Sequence, residues 1–543
     1  MNKKEDLDNF EWFNLNLTID DQFFDDETDN LYKKLKLIGY GKKKRILKLV
    51  ILNLFKVYLE DKTKYVAVYR TTDFYSKANL PPRNNPNECS YRLLIDVLDS
   101  LIKRGMIEYR KGSEYSGVSR IRMSKVLFDY YKKGNSVIKQ HQIEVHPNTN
   151  CIVLRKEDTS GNKVDSDYKE TNKIKRMRSL LTEYNNLLRQ NFIAVPDYPK
   201  KGIAKDYFNN KLKRFISQNK CIDFNQKFVR RIFNEDFNHG GRFYGGFWVS
   251  LSSEWRKHIR INNNPVVEID YSGIHIILLY GLKKIDYWRK HKTDPYTLDK
   301  KTMKQEYPEI KTDEDKLKFR ELVKQVILVS LNSKDETSTC KSIIRSITNE
   351  VDEEGNKKFE WFRSAYSQYD KKKDKKILGH NVIKKLISHI KDKHVDIREY
   401  FNSKKGSWVQ NLDSLVAEQI INFYTMEGIP VLCVHDSFII DSSYIWDLEQ
   451  RMKWVMEEFL DKHQSQVSAV KTTISGQENT LEEKLKWFKR RNGHQLLGIK
   501  PDKNLEELDS MKIIPNPTYR NQLKKYQSRK YQEYLFKTRD YYQ

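Results

Sequence analysis

Val266 to Gly281 reads VVEIDYSGIHIILLYG, and Val431 to Asp441 reads VLCVHDSFIID. In the first, Val266, Val267 and Ile269 predict a short buried strand, broken at Tyr271-Ser272-Gly273 before a helical run from Ile274 to Leu282. Asp270 therefore stands at the carboxyl end of a strand, facing a crevice, where ligands are commonly displayed. In the second, Val431 to Val434 and Phe438 to Ile440 predict a hairpin with His435-Asp436-Ser437 in its turn. Carboxylates from two adjacent strands can hold two magnesium ions about 3.5–4 Å apart, one activating a hydroxyl and the other steadying a leaving oxygen. That is phosphoryl-transfer chemistry. Either aspartate taken alone reads as well as a turn or capping residue.

A third element lies between them. Asp313 to Leu331 has helical periodicity, with Lys316, Arg320, Lys324, Ile327 and Leu331 on one face and Phe319, Leu322, Val323 and Val326 packing elsewhere. Arg320 and Lys324 project together, one turn apart, as suits a triphosphate whose leaving pyrophosphate gathers charge. By themselves they are an ordinary solvated basic face.

The 543-residue chain is long enough for two or three domains. A formal charge of +26 makes nucleic acid the obvious partner, although a merely lysine-rich composition produces the same figure. No apolar run approaches the roughly 20 residues that cross a bilayer. The first thirty residues hold ten acids against two lysines, unlike a secretion or transit signal. No membrane partner and a cytoplasmic location are expected. The five scattered cysteines lack zinc-site spacing and read as reduced thiols.

Along the chain, residues 1–30 read as an acidic tail, poorly ordered, folded back on a basic groove, or bound to a protein partner. Residues 31–135 predict a winged-helix-like domain. Its helices span Arg45 to Glu60 and Ser90 (N-cap) to Gly105 (stop), with a strand at Val66 to Tyr69 and a hairpin from Met106 to Met123. Arg104 and Arg120 are among its candidates for phosphate contact, and the same fold also serves protein contacts. Residues 136–206 read as a connector with thumb-like helices, in which Ile143 to Val145 and Cys151 to Arg155 pair as strands and Lys169 to Gln190 is a basic helix. Residues 207–485 form the main domain, and 486–543 a basic extension. Met511 to Gln543 holds eight Lys/Arg against two acids, with six tyrosines interleaved, a composition that can grip nucleic acid by charge and stacking or simply form a solvated helix.

Asp at a strand end, Arg-x-x-x-Lys on a helix and His-Asp in a hairpin, in this order, resemble motifs A, B and C of the DNA polymerase I family and of the phage and mitochondrial single-subunit RNA polymerases. FNHGGRFYGGFW (Phe237 to Trp248) is similar to the Arg-Gly-Arg-x-Tyr or Thr-Gly-Arg stretch of those enzymes, and WVQNLDSLVAEQIINFY (Trp408 to Tyr424) to the helix that closes their palm. The likeness covers about residues 205 to 465. It implies an α+β right-hand fold of palm, fingers and thumb, in which Asp270, Asp436 and the Tyr271 carbonyl hold two Mg2+ (or Mn2+) ions. It further implies that Arg320 and Lys324 contact the incoming triphosphate, that Lys324 protonates the departing pyrophosphate, that Arg242 touches nucleic acid near the reacting end, and that His435 supports the primer terminus. Two departures bear on sugar choice. Asn332 replaces the usual aromatic residue eight positions after the motif B lysine, and His275 replaces the glutamate that many DNA-making members carry five positions after the motif A aspartate. His275 reads equally as a core histidine.

The expected activity is template-directed synthesis from nucleoside triphosphates on a primed DNA or RNA template. DNA synthesis comes first because the Asp270 to Lys324 interval resembles the shorter DNA-enzyme arrangement, and replication or priming of a mobile element or phage is the setting it suits. A single-subunit RNA polymerase or primase, untemplated addition, a non-catalytic DNA-binding initiator or regulator, and a metal-dependent nuclease are the alternatives. A nuclease has no need of a triphosphate clamp.

Overall fold

The strand, break and helix expected over 266–282 and the hairpin at 431–440 are both present in the computed structural model of the chain. It describes residues 7, 9–77, 79–111, 118–132, 142–158, 161, 163–199, 202–209, 214–220, 222–350, 357–370, 375–462 and 472–476. The architecture mixes helices and several sheets in one α+β chain, around three main apolar cores. The proposed basic extension at 486–543 lies outside the described residues. Among the described residues, no helix is long and apolar enough to cross a membrane.

The first core joins β1 (Phe10–Trp12), β2 (Leu17–Ile19), α1 (Gln22–Lys34), α2 (Tyr40–Glu60), β3 (Tyr65–Tyr69), α3 (Tyr91–Lys103), β4 (Ile107–Arg110), β5 (Val118–Met123), α4 (Lys125–Tyr131) and β6 (Ile143–Val145). β1, β3, β5 and β4 make one sheet in that order, and β2 pairs with β6. Ser90 does precede α3, although its side chain makes no capping bond, and Gly105 (φ 64°) follows its end in the left-handed region that glycine tolerates.

From residue 9 onward the acidic segment is built into this core. Asp21 caps α1 by accepting from Phe24 N, and α1 buries Phe24 and Leu31 completely. Its carboxylates meet the basic face of α2, with Asp25 on Lys48 at 2.5 Å and Asp29 on Lys44. Opposite charges and an apolar stripe thus fold this segment back onto a basic helix, the second of the arrangements considered for it. Each buried side chain of this kind adds about 1.5–3 kcal/mol, far more than its surface ion pairs.

The second core begins earlier than expected, at Cys151. β7 (Ile152–Glu157) and β8 (Lys163–Ser166) precede α5 (Asn172–Gln190), followed by β9 (Ile193–Ala194), the β10–β11 hairpin (Ile203–Asn209, Arg214–Lys220), β12 (Arg230–Asn234), β13 (Gly240–Tyr244), α6 (Ser253–Arg256), β14 (Arg260–Ile261), β15 (Asn264–Tyr271) and α7 (Ile274–Leu282). β7 pairs with β8 and β12, not with the strand at 143–145, which is taken by β2. Nor is α5 a thumb-like projection. Ile174, Met177, Leu181, Tyr184 and Leu188, one stripe at helical spacing, are buried in the main core, and the Tyr184 hydroxyl donates to the Val431 carbonyl at 2.6 Å.

The third core is a helical lobe inserted between two strands of the main sheet. It comprises α8 (Tyr287–His291), α9 (Lys300–Glu306), α10 (Asp313–Asn332), α11 (Glu336–Asn349), α12 (Glu360–Tyr366), the β16–β17 pair (Gln368–Asp370, Lys375–Ile377) and α13 (His380–Lys393). α14 (Gly406–Met426) then returns the chain to the main core, before β18 (Val431–Val434), β19 (Ser437–Asp441), α15 (Ile445–Lys462) and β20 (Thr472–Gly476). The central sheet runs β18-β19-β15-β14-β9, with β20 also paired to β15. α10 starts with a reciprocal capping box between Thr312 and Asp315.

Candidate active site

β15 and β19 are antiparallel neighbours, and Asp270 lies opposite Ser437. Ser437 itself begins β19, so the turn holds only His435 and Asp436. His435 takes a positive φ of 60°, which histidine adopts more readily than most side chains but at some cost. Past Asp270, Gly273 (φ 71°) turns the chain into α7. A Cβ there would stand 2.5 Å from Pro295.

The register brings the two expected carboxylates together. Burial, and next the neighbouring Asp436, push the Asp270 carboxyl up to about 7, against the opposing pull of Lys324. Lys324 therefore acts on the same site. Arg320 and Lys324 both face the ring of Tyr296, at 5.2 and 5.8 Å from its centroid, and Arg320 also bonds Asp294 at 2.9 Å. Burial first, then the charge of Asp436, raise the Tyr296 hydroxyl well above its ordinary range, so the ring that Arg320 and Lys324 face also feels the acidic pair. Tyr296 lies in an irregular stretch before α9, and no periodicity pointed to it.

Arg242 projects from β13 toward the same cluster. Its Nε lies 3.1 Å from both oxygens of Asp413, and one of its terminal nitrogens also reaches that carboxylate. His275 Nε2 is 2.7 Å from Asp413 and 2.8 Å from the Arg242 guanidinium. Nε2 is thus within hydrogen-bond distance of both, donating to Asp413 in one tautomer and accepting from Arg242 in the other. Burial works against the charges of Arg242 and Asp413 alike. Hydrogen bonds outweigh it: the bond to Asp413 holds Arg242 above its ordinary pKa, with Asp436 contributing, and the bonds from His275 and then Arg242 hold Asp413 below its own. Asp413 was not singled out in the sequence, because one acid inside the apolar helix WVQNLDSLVAEQIINFY carries no visible partner. Next to it, buried Arg231 bonds the Gly241 carbonyl at 2.8 Å and pairs with Glu418 at 2.9 Å. Gly241, at φ 82°, leaves no room for a Cβ, which would be 2.5 Å from Phe233.

His435 packs edge-on against Tyr244, with centroids 5.3 Å apart, and its pKa is lowered by burial and then by Arg242. The Tyr271 side chain points away into the core, its hydroxyl donating to Met452 O at 2.6 Å. His275 is a buried histidine that still belongs to the polar cluster through Asp413. Asn332 ends α10, about 12 Å along the helix from Lys324, where it is exposed and donates to the Leu328 carbonyl.

Arg104 is exposed at the end of α3, away from this cluster. Arg120 is not available to phosphate as expected. It is buried, covers the Phe10 ring at 3.8 Å and donates to the carbonyls of Leu7 and Val118.

Among the described residues, no group of three or more His, Cys, Asp or Glu side chains could hold a metal ion. The donors on offer are a close pair of carboxylates and backbone carbonyls, hard oxygens of the kind that bind Mg2+ together with water and substrate phosphate. The repulsion within the pair is what a divalent cation relieves.

No protein-family model matches the chain, and no curated protein matches it. Among solved structures, the POL domain of Pol1 from M. smegmatis, in complex with DNA primer-template and dNTP, is similar at 10% identity and a TM-score of 0.29. The likeness covers 46% of this chain and 47% of that one, so the chain spans about half the length of that structure.

Proposed function

We propose that the chain is a template-directed nucleotidyltransferase that extends a nucleic-acid strand, with DNA as the first product to test. The observation that carries this reading is the β15–β19 register, which sets Asp270 opposite Ser437 and next to the turn that holds Asp436, with the Lys324 ammonium acting on the same carboxyl. In this reading Asp270, Asp436 and the Tyr271 carbonyl hold Mg2+, which when bound supplies charge neutralisation and a more acidic attacking hydroxyl. Arg320 and Lys324, steadied on Tyr296, bind the triphosphate, and Lys324 delivers a proton to the departing pyrophosphate. Arg242, its guanidinium plane fixed by Asp413, meets the strand end near His435.

The sheet bearing Asp270 and Asp436 is then the palm and the inserted helical lobe the fingers. The N-terminal unit acts as a winged-helix-like element that contacts phosphate through exposed residues such as Arg92 on α3 and Arg104 just past its end. A triphosphate clamp beside the acidic pair favours synthesis over hydrolysis. The test offers primed and unprimed single strands of DNA and RNA with dNTPs or NTPs and Mg2+, comparing the wild type with Asp270→Ala and Asp436→Ala. Extension that both substitutions abolish is the expected result. Extension that survives either one eliminates the site, and cleavage without extension replaces the reading with a nuclease.

A further inference from the structure

Far from the acidic pair in sequence, three aromatic rings of the N-terminal unit form a column. Trp12 and Tyr69 are stacked with centroids 5.1 Å apart and planes 16° from parallel, and Tyr69 and Phe74 are stacked at 4.2 Å, again at 16°. Trp12, at the outer end, is 52% exposed. Tyr69 and Phe74 line a cavity of about 460 Å³ between the N-terminal unit and the sheet of β7, β8 and β12. A cavity of this size suits a small ligand, and an aligned stack accepts a further flat ring without rearrangement.

The polar wall narrows the chemistry. Thr149 lines the cavity, is 7% exposed, and its hydroxyl has no hydrogen-bond partner among the described residues. Such a group is costly to leave unsatisfied. The Arg230 side chain, half-buried on the same wall, lies 5.5 Å from the centroid of the Phe228 ring and makes no hydrogen bond or ion pair with a described residue. The acid that attracts it, Asp165, also lines the cavity and is already bonded to Arg155 at 3.0 Å. A cation held this way favours an anionic ligand. At the mouth, the exposed carboxylate of Asp73 can accept from a hydroxyl or an amino group. A flat ring, a hydrogen-bonding edge, hydroxyls and an anion together describe a nucleotide.

We propose that this cavity is a second nucleotide site, in which a base extends the Trp12–Tyr69–Phe74 column, the Thr149 hydroxyl bonds its polar edge and Arg230 holds its phosphate. The nucleotide comes either free or as an unstacked residue of a single strand. The site stands whether or not the Asp270–Asp436 cluster makes nucleic acid.

The test uses the full chain in EDTA, which silences metal-dependent binding at the acidic pair. Nucleoside monophosphates are titrated by calorimetry, and a short labelled single strand by fluorescence anisotropy. The proposal expects binding that Arg230→Gln and Thr149→Val each weaken about tenfold while Lys324→Ala leaves it unchanged, with melting curves confirming that each variant is folded. Phe74→Leu adds a check on the stack, and the two polar substitutions decide the matter if that variant does not fold. A monophosphate that binds and displaces the strand identifies a free nucleotide, whereas binding of the strand alone, still weakened by Arg230→Gln, identifies a base from a strand. No binding of either probe by the wild type, or binding that Arg230→Gln and Thr149→Val leave intact, overturns the proposal.

Discussion

Asp270 stands across from Ser437 in the β15–β19 ladder, which sets its carboxyl beside that of Asp436 in the adjoining turn. Burial and this neighbour together hold Asp270 near pH 7 instead of in the ordinary carboxylate range. A group whose folded pKa exceeds its unfolded value binds more protons in the folded state. Stability is therefore lost as pH rises from about 4 through about 7. The arrangement costs the fold at the pH where a cation is to be bound.

Asp270→Asn removes that repulsion. At pH 8 without metal, the variant should be more stable than the wild type by about 1–2 kcal/mol, while strand extension falls by at least about 10²–10³-fold. Urea denaturation alongside an incorporation assay measures both. Equal or lower stability would remove Asp436 as a source of strain.

Cation binding must displace the proton held by Asp270. Apparent Mg2+ affinity should therefore rise with pH and level off above about 7, with proton uptake by the buffer largest near pH 6. Calorimetric titration in two buffers of different ionisation enthalpy checks this. Heats that do not depend on the buffer would contradict it.

Lys324→Ala should raise KM for the triphosphate by about tenfold to a hundredfold, the range expected for a lost charge-assisted hydrogen bond. Tyr296→Leu should act in the same direction, because it removes the ring that both Arg320 and Lys324 face. Steady-state kinetics with varied nucleotide separate this from a defect in strand binding.

Asp413→Ala leaves Arg242 as a largely buried charge without its partner and removes the carboxylate neighbour of His275. A loss of about 3–5 kcal/mol is expected in chemical denaturation. Since the Asp413 pKa is held down in the fold, its contribution is present above the ordinary carboxylate range and is lost as pH falls below that range through the lowered folded value. The wild-type advantage over the variant should therefore shrink in acid.

Deleting residues 1–34 should destroy the cooperative melting of the N-terminal unit, because it uncovers the side of α2 that packs on Phe24 and Leu31 and removes β1 from its sheet. Circular dichroism melts of the truncated and full chains decide this. Unchanged melting would restore the segment to the status of a tail.

The sequence by itself determined the local elements that carry the two aspartates. Val266 to Ile269 and Val431 to Val434 are apolar runs ended by turn residues, and Arg320 and Lys324 share a helix face by spacing alone. Such features depend on neighbours a few positions away, so periodicity reveals them. Only the tertiary structure decided that Asp413 holds both Arg242 and His275, that Tyr296 carries the two cations, that Arg120 is consumed by Phe10, and that an acidic N-terminal segment is packed into a core. Each of these is a pairing between distant parts of the chain, and its energy comes from burying charge or apolar surface against a partner that no local pattern names.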